Sequence, residues 1–383
     1  MKLLFLSSLC STPLLPNLSP GNARILRALR GLADCRVIIP VPLFPARNDI
    51  PSVEIGLDGS PILHPRTFHI PGVARFLNAV FYTMSVAPLV HAEVARFRPD
   101  VILAPWAFPD GTAAVALGKA TGVPVVVRTM GSDINQVARM RGRRAQVRWT
   151  LCHADRVVAV SRALGQAIAA LGVPDEKIAV VPTGVESAIF HPHDRNQARA
   201  TLGLAPGPLV LVAARLSAEK GLLHLLAAMS QAHCAFRLVL VGDGAQRREL
   251  EQEVQRRGLR DRVRFDGFQP ETRLPLYYSA ADLFCLPSLA EGWPDVLMES
   301  FACGCPAVAS AVGGVPDIMA LANAGITVPP ARPEDLAHAL DEALARDWDR
   351  PAIARTMDSH SIAATAHQYL EVCQDAASIK VST

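Results

Sequence analysis

The chain has 383 residues, half of them hydrophobic and few of them aromatic, and a formal net charge of +3. Its length favours two domains over one, and no segment approaches the roughly 18 uninterrupted apolar residues of a membrane-spanning helix. The charge is uneven, with 21 Lys and Arg against 13 Asp and Glu up to Arg195, and 17 against 22 after it. A basic first half is expected to meet an anionic partner, with a solvated Arg-rich surface as an equal alternative.

Short apolar strands alternate with amphipathic helices along the chain. In the first half, the predicted strands are 3–6, 35–40, 101–104, 124–128, 156–160 and 178–182, and the predicted helices are 22–32, 73–96, 111–120, 146–153 and 162–171. In the second half, the predicted strands are 208–214, 236–242, 262–267, 282–286, 307–310 and 325–328, and the predicted helices are 222–231, 246–257, 294–303, 333–345 and 352–375. This alternation predicts an α/β fold of two doubly wound parallel-sheet domains, separated by the polar stretch 191–207.

Three features of the first half are candidates for function. Gly21 and Asn22 follow the first strand, where a glycine lets the backbone approach a phosphate. Asp133 follows a later strand and can either orient a sugar or acceptor hydroxyl or cap the next helix. The basic segment after it is expected to meet anionic lipid or a lipid-diphosphate acceptor, with a solvated helix surface as the alternative; its members are Arg139, Arg141, Arg143, Arg144 and Arg148. Aromatic residues do not interleave with them, which disfavours a nucleic-acid partner.

In the second half, Arg215 and Lys220 follow a strand. Together they can pair with a diphosphate, Arg215 through two parallel N–H donors and Lys220 through a single positive charge, and neutralise its negative charge. Surface ion pairing is the alternative. Gly242 begins a G-D-G turn that lacks the third small residue of a dinucleotide motif and is interpreted as a turn near the nucleotide. Phe268 ends a segment that is expected to pass the base.

The stretch 287–317 combines a strand end, a loop, a helix start and a glycine pair. Glu291 lies in the loop, Pro294 suits the first position of the helix, and Glu299 follows about one turn later. A helix N-terminus at the strand ends favours an anion, because its N–H groups and dipole are positive. The two carboxylates can accept hydrogen bonds from sugar hydroxyls and a ribose diol. For Glu299, a solvated helix position is the alternative.

These segments resemble the retaining GT-B glycosyltransferases of family 4, also described as glycosyl transferases group 1. The segments that carry the resemblance are PDGTAAVALGKATGVPVVVRTMGSDIN (109–135), LVLVAARLSAEKG (209–221), LVGDGAQRREL (240–250), ADLFCLPS (281–288) and EGWPDVLMESFACG (291–304) with its following glycine pair. Two positions depart from the family, since Met130 and Pro105 stand where it has histidines. These departures leave the identity of the acceptor open and do not change the expectation for donor binding.

The resemblance implies transfer of a hexose-type sugar from a nucleoside-diphosphate-sugar, such as a UDP or GDP donor, with retention at the anomeric carbon and without a metal or other cofactor. The implied acceptor is a glycan or lipid-linked molecule in cell-envelope or exopolysaccharide biosynthesis. The expected catalytic residues are Arg215, Lys220, Glu291 and Asp133. The expected donor-binding residues are Gly21, Asn22, Gly242, Phe268, Gly292, Trp293, Pro294, Asp295, Val296, Leu297 and Glu299.

The expected domains are 1–190 on the acceptor side and 191–356 on the nucleotide-sugar side, with a helix near 357–377 packing back onto the first domain. Ligands are expected at the carboxyl ends of the strands, in the cleft between the domains. The eight cysteines are scattered without metal-ligand spacing, and we interpret them as reduced thiols of a cytoplasmic protein. Because of its basic segment, this protein is also expected to be able to associate peripherally with the inner face of the membrane. The alternatives are a nucleotide-sugar epimerase and a non-catalytic nucleotide-sugar-binding subunit.

Overall fold

The computed structural model describes residues 1–15, 18–43, 49–56, 58–68, 77–140 and 142–379. The chain divides into two compact units, Met1–Thr183 with Ile362–Thr383, and Gly184–Ser361. The division therefore falls seven residues before the predicted boundary at 190/191. Its position has a local cause, because the backbone N–H of Val185 donates to the carbonyl of His360, which ties both ends of the second unit together.

The first unit is built on an eight-stranded sheet. Its strands are β1 (Lys2–Leu6), β2 (Asp34–Ile38), β4 (Val53–Ile55), β5 (Pro61–Leu63), β7 (Val101–Ala104), β8 (Val125–Thr129), β9 (Arg156–Ala159) and β10 (Ile178–Val180), while β3 (Val41–Pro42) pairs with β6 (Arg66–Thr67). The order is β10-β9-β8-β7-β1-β2-β5-β4, and only β4 runs antiparallel to its neighbour among the described pairs of this sheet. The strands β1, β7, β8 and β9 are mostly apolar and buried over nearly their whole length, as expected for a sheet covered on both faces.

Helices cover this sheet. They are α1 (Pro20–Arg30), α2 (Asn78–Phe97), α3 (Thr112–Thr121), α4 (Ser132–Asn135), α5 (Arg144–His153), α6 (Arg162–Ala169) and α15 (Ile362–Ile379). The last helix belongs to the first unit, where Tyr369 is fully buried and the Thr365 hydroxyl donates to the carbonyl of Pro182 at 3.1 Å. The predicted single helix 352–375 is wrong, because a 3₁₀ turn at Asp358–His360 interrupts it.

The second unit holds a six-stranded, fully parallel sheet. Its strands are β11 (Leu209–Ala213), β12 (Arg237–Val241), β13 (Val263–Gly267), β14 (Leu283–Leu286), β15 (Ala307–Ser310) and β16 (Gly325–Val328). The order β13-β12-β11-β14-β15-β16 means that the chain first builds outward from β11 and then restarts on its other side. The point between β11 and β14 is therefore the switch point of the sheet, where such folds bind ligands.

The helices of this unit include three that the hydrophobic pattern missed. The full set is α7 (Arg195–Leu202), α8 (Leu222–Gln231), α9 (Arg247–Arg256), α10 (Leu274–Ala280), α11 (Asp295–Ala302), α12 (Val315–Ala322), α13 (Pro333–Ala345) and α14 (Arg350–Thr356). Helix α7 lies inside the stretch that was predicted to separate the domains. Asp194 caps it by accepting from the N–H of Gln197, and Arg199 donates to the carbonyl of Ala280 and to Asp282. Polar bonds thus attach this segment to the second unit.

Candidate active site

Two loops of the second unit meet at the switch point. Lys220 follows β11 and Glu291 follows β14, and these strands are neighbours in the sheet. The Lys220 ammonium donates to Glu291 Oε1 at 2.7 Å, and the hydroxyl of Ser288 donates to the same oxygen at 2.6 Å. Both members of the ion pair are mostly buried. The structure therefore brings together a cation and a carboxylate that lie 71 residues apart in the sequence.

Glycines on both sides allow these loops to approach closely. Gly221 has a φ of +64°, and a Cβ there would lie 2.1 Å from the carbonyl oxygen of Pro287. Gly313 has a φ of +54°, and a Cβ there would lie 2.0 Å from the carbonyl oxygen of Glu291. The N–H of Gly314 donates to the carbonyl of Gly292 at 2.9 Å. The glycine pair thus packs against the loop that carries Glu291, and only glycine fits at these contacts.

The turn after β12 also packs closely. A Cβ on Gly242 would lie 1.9 Å from the carbonyl oxygen of Ala214, which directly precedes Arg215. Gly242 also donates its N–H to the carbonyl of Gly267 at 2.7 Å. The close packing of Gly242 against Ala214 therefore supports the loop that carries Arg215. A contact between Gly242 and the nucleotide stays a prediction.

Arg215 is the exposed cation of the site, with 73% of its side chain accessible. Its guanidinium lies 3.3 Å from Glu219 Oε1, and the hydroxyl of Ser217 donates to that oxygen at 2.7 Å. The hydrogen bond from Ser217 lowers the pKa of Glu219, and the charges of Arg215 and Lys220 lower it further. Both predicted cations therefore stand at one strand end, each paired with an acid.

Helix α11 begins beside these loops and runs from Asp295 to Ala302. The predicted first helical residue, Pro294, is the N-cap, so the helix begins one residue later than predicted, a difference within the usual uncertainty of helix ends. Trp293 and Leu297 are buried, which fixes the orientation of the helix start. The backbone N–H groups of its first turn therefore emerge at the strand ends, where Asp295 and Val296 are half-buried. Phe268, after β13, is strongly exposed at the same edge.

Glu299 is buried, so the alternative of a solvated helix position is wrong. The hydroxyl of Tyr278 donates to Glu299 Oε2 at 3.0 Å. Burial raises the pKa of Tyr278 well above its usual value, and the neighbouring charge of Glu299 raises it further. Tyr278 was not predictable as a site residue, because a tyrosine in an apolar segment gives no signal of its hydrogen-bond partner. A ribose contact by Glu299 stays a prediction.

Two predicted residues of the first unit have internal partners. Asn22 is buried, its Nδ2 donates to the carbonyl of Leu9, and its Oδ1 accepts from Arg128, which also donates to the hydroxyl of Thr183. The side chain of Asn22 thus braces the loop after β1, and a contact of this residue with the donor stays a prediction. Gly21 lies beside it in the first turn of α1, and its backbone contact with phosphate stays a prediction.

Asp133 is fully buried. Its carboxylate accepts from four backbone N–H groups, those of Ala107, Met130, Gly131 and Ile134. Burial raises the pKa of Asp133, although these hydrogen bonds oppose the shift. A direct catalytic contact needs an accessible carboxylate, so this candidate is corrected to a residue that holds the loop after β8. Pro105, which like Met130 stands where the family is expected to have a histidine, is buried directly after β7.

The basic segment is described in part. Arg143 stacks on the ring of Phe108 at 5.3 Å, and Arg148 Nε donates to the carbonyl of Leu171 at 2.9 Å. Arg144 begins α5 with an exposed side chain. Arg141 and the side chain of Arg139 lie outside the described residues. Across the described part of the chain, no helix is long and apolar enough to cross a membrane, and no cluster of three His, Cys, Asp or Glu residues is arranged to hold a metal ion.

Asp110, in the first unit, makes a testable contribution to stability. Its carboxylate is fully buried and accepts from both the N–H and the hydroxyl of Ser8 at 2.8 Å. Burial raises the pKa of Asp110 from 3.8 to about 6. Between these pH values the folded state binds more protons than the unfolded state, so stability falls as the pH rises, by on the order of 3 kcal/mol in total.

Urea unfolding of the wild type and Asp110→Asn at pH 4 and pH 7 measures this effect. The amide cannot ionise, so the variant lacks this part of the pH dependence, and the wild type loses stability relative to it at the higher pH. An identical difference between the two proteins at both pH values would contradict the assignment.

Comparison with known families decides the identity of the chain. Residues 194–356 match the profile described as "Glycosyl transferases group 1", and residues 23–188 match "Glycosyltransferase Family 4". A D-inositol 3-phosphate glycosyltransferase of Nocardiopsis dassonvillei is 31% identical over 368 residues, which cover 89% of this chain and 85% of the relative. The chain is a family 4 glycosyltransferase. The TuaC protein of Bacillus subtilis, a putative teichuronic acid biosynthesis glycosyltransferase, is 29% identical over 338 residues and 82% of each chain.

Solved structures show the fold of this glycosyltransferase. A sucrose-phosphate synthase from Thermosynechococcus elongatus superimposes with a TM-score of 0.79 at 24% identity, covering 98% of each chain. Anabaena HepE in complex with UDP gives a TM-score of 0.74 at 22% identity, covering 98% of this chain and 100% of that one. The predicted α/β fold of two Rossmann-like units is confirmed as GT-B, and the enzyme is a transferase.

Proposed function

We propose that this glycosyltransferase moves a hexose-type sugar from a nucleoside-diphosphate-sugar to a glycan or lipid-linked acceptor, with retention at the anomeric carbon. The observation that carries the proposal is the pairing of Lys220 with Glu291 at the switch point, with Arg215 on the same strand end. Lys220 and Arg215 take the diphosphate, and Glu291, released from Lys220, accepts from sugar hydroxyls. The first turn of α11 adds N–H donors, and Glu299 takes the ribose.

The reaction requires no covalent bond between the substrates and the protein. As the bond between the anomeric carbon and the diphosphate oxygen breaks, negative charge grows on the departing nucleotide. Lys220 and Arg215 stabilise that charge, which is electrostatic assistance by protein cations in place of a metal. The acceptor hydroxyl attacks from the same face and passes its proton to the departing phosphate oxygen, and positioning of the two substrates supplies the rest of the rate. Asp133 acts only through the loop that it holds.

The relatives support the kinds of substrate. HepE has been solved with UDP and with UDP-glucose, which supports a nucleotide-sugar donor. The name of TuaC points to teichuronic acid biosynthesis, which supports a glycan acceptor, and the name of the Arabidopsis thaliana sulfoquinovosyl transferase SQD2 supports transfer of a hexose-type sugar. We place the enzyme in the cytoplasm, in peripheral contact with an anionic membrane surface through its basic segment, to which the described Arg144 and Arg148 belong.

A thermal-shift screen of UDP-, GDP- and ADP-sugars tests donor binding. The correct donor at about 100 times its Kd stabilises the folded state by about 2.7 kcal/mol, so one base and sugar stand out. The stabilising donor is then incubated with acceptor extract, with and without EDTA, and the product is analysed by NMR. The expected product keeps the donor's anomeric configuration, and EDTA does not change the rate.

Three results would overturn the proposal or part of it. An epimerised nucleotide-sugar formed without acceptor identifies an epimerase. Donor binding without consumption in any extract identifies a non-catalytic binding subunit. Loss of transfer in EDTA that a divalent cation restores contradicts the assignment of leaving-group stabilisation to Lys220 and Arg215 alone.

A further inference from the structure

The first unit contains a cavity of about 660 Å³ that the donor site does not use. Its lining comes from the segments after β1, β2 and β7, which end at one edge of the sheet, and from the start of α2. Most of the lining side chains are apolar; among them are Leu14, Leu15, Leu18, Val41 and Phe68. A cavity of this size and polarity fits a small organic group.

Part of the lining is polar. Tyr82 lines the cavity and is buried, and burial and the neighbouring charge of Asp110 raise the pKa of its hydroxyl well above the usual value. Ser8, which is bonded to the buried Asp110, also lines the cavity. Arg143 is a further lining residue and lies against the ring of Phe108. These polar side chains can pair with the polar atoms of a ligand.

Large apolar side chains are exposed on segments that line the cavity or adjoin its lining, namely Leu14, Leu43 and Phe68 on the loops and Leu77, Val80 and Met84 on and beside the first turns of α2. Phe68 packs edge-on against Phe81 of this helix. Scattered apolar residues are ordinary on a protein surface, but several around one apolar cavity indicate a binding site.

We propose that this cavity binds the hydrocarbon of an amphiphilic acceptor whose phosphate group pairs with Arg143. The proposal rests on the proposed glycosyl transfer and selects the lipid-linked acceptor from its two acceptor classes. The charge of Arg143, continued by the exposed Arg144, suits a phosphate next to the hydrocarbon. The Tyr82 hydroxyl meets a polar atom of the head group. The exposed apolar rim then faces the membrane from which the acceptor comes.

Calorimetric titration of the full chain with butyl, octyl and dodecyl phosphate, each below its micelle-forming concentration, tests the proposal. Affinity should rise by up to about fourfold for each methylene that becomes buried. Phe68→Asp should remove this dependence on chain length, because it places a charge at the cavity wall. Val180→Asp is the matched control, since Val180 is 43% exposed and Phe68 42%, in the same unit but away from the cavity. This control should keep the wild-type dependence.

The head-group contacts have a different signature. Arg143→Gln and Tyr82→Phe should each weaken all three probes by about tenfold while the dependence on chain length remains. Equal affinity for butyl and dodecyl phosphate, or equal behaviour of Phe68→Asp and Val180→Asp, would overturn the proposal. Inorganic phosphate that binds as tightly as dodecyl phosphate would overturn it as well. The titration uses no nucleotide, so its failure is distinct from a failure of donor binding in the second unit.

Discussion

Lys220→Ala lowers the transfer rate by about 10²–10³-fold, the loss typical of removing one group that stabilises transition-state charge. Lys220 is held at the switch point by its 2.7 Å bond to Glu291, so its position is fixed before the donor binds. The same substitution should weaken donor binding less than it slows transfer, because charge on the diphosphate grows as the bond breaks. Steady-state kinetics with saturating and limiting donor separates the two effects.

Arg215 offers a matched control for this prediction. Its side chain is 73% exposed and paired with Glu219, while that of Arg256 is 71% exposed and paired with Glu253 on α9. Arg215→Ala should slow transfer by at least tenfold, and Arg256→Ala should leave it unchanged, although both remove an exposed Arg–Glu pair of small energetic value. Wild-type rates in both Lys220→Ala and Arg215→Ala would remove these residues from the active site.

Gly313→Ala should abolish most of the activity without any change to a predicted ligand of the donor. A Cβ at this position would lie 2.0 Å from the carbonyl oxygen of Glu291, so the loop that carries Glu291 must move. A displacement of about 1 Å of a positioning group can cost about 10²-fold in rate. Transfer kinetics together with the melting temperature measures both consequences.

Gly203→Ala separates the clash from backbone strain. Gly203 has a φ of +61°, close to the +54° of Gly313, but a Cβ there would meet nothing within 4 Å. The control therefore carries the cost of a left-handed alanine alone, about 1–2 kcal/mol, and should keep normal transfer kinetics below its melting temperature. If both variants lose activity equally, strain and not the contact with Glu291 is responsible.

The regular elements were largely predictable from local pattern. The buried strands of both sheets are continuous apolar runs, and α8 and α13 begin and end at the predicted residues. The stretch around Glu291 and α11 was also recognisable, because a strand end, an acid in a loop and a helix start follow one another there. Helix α7 was not recognisable from the sequence, because its attachment to the second unit depends on hydrogen bonds from Arg199 to residues about 80 positions away in the chain.

The family, the alternation of strands and helices, and the presence of Arg215, Lys220 and Glu291 after strands of the second half could all be predicted from the sequence. The accessibility of each candidate to a ligand could not, because it depends on the folded structure. Asp133 is as polar in the sequence as Glu291, yet its carboxylate is enclosed by four backbone N–H groups. The physical reason is that burial and hydrogen-bond partners depend on contacts between residues far apart in the chain. The same dependence places Lys220 against Glu291 across the switch point, a contact that no local pattern contains.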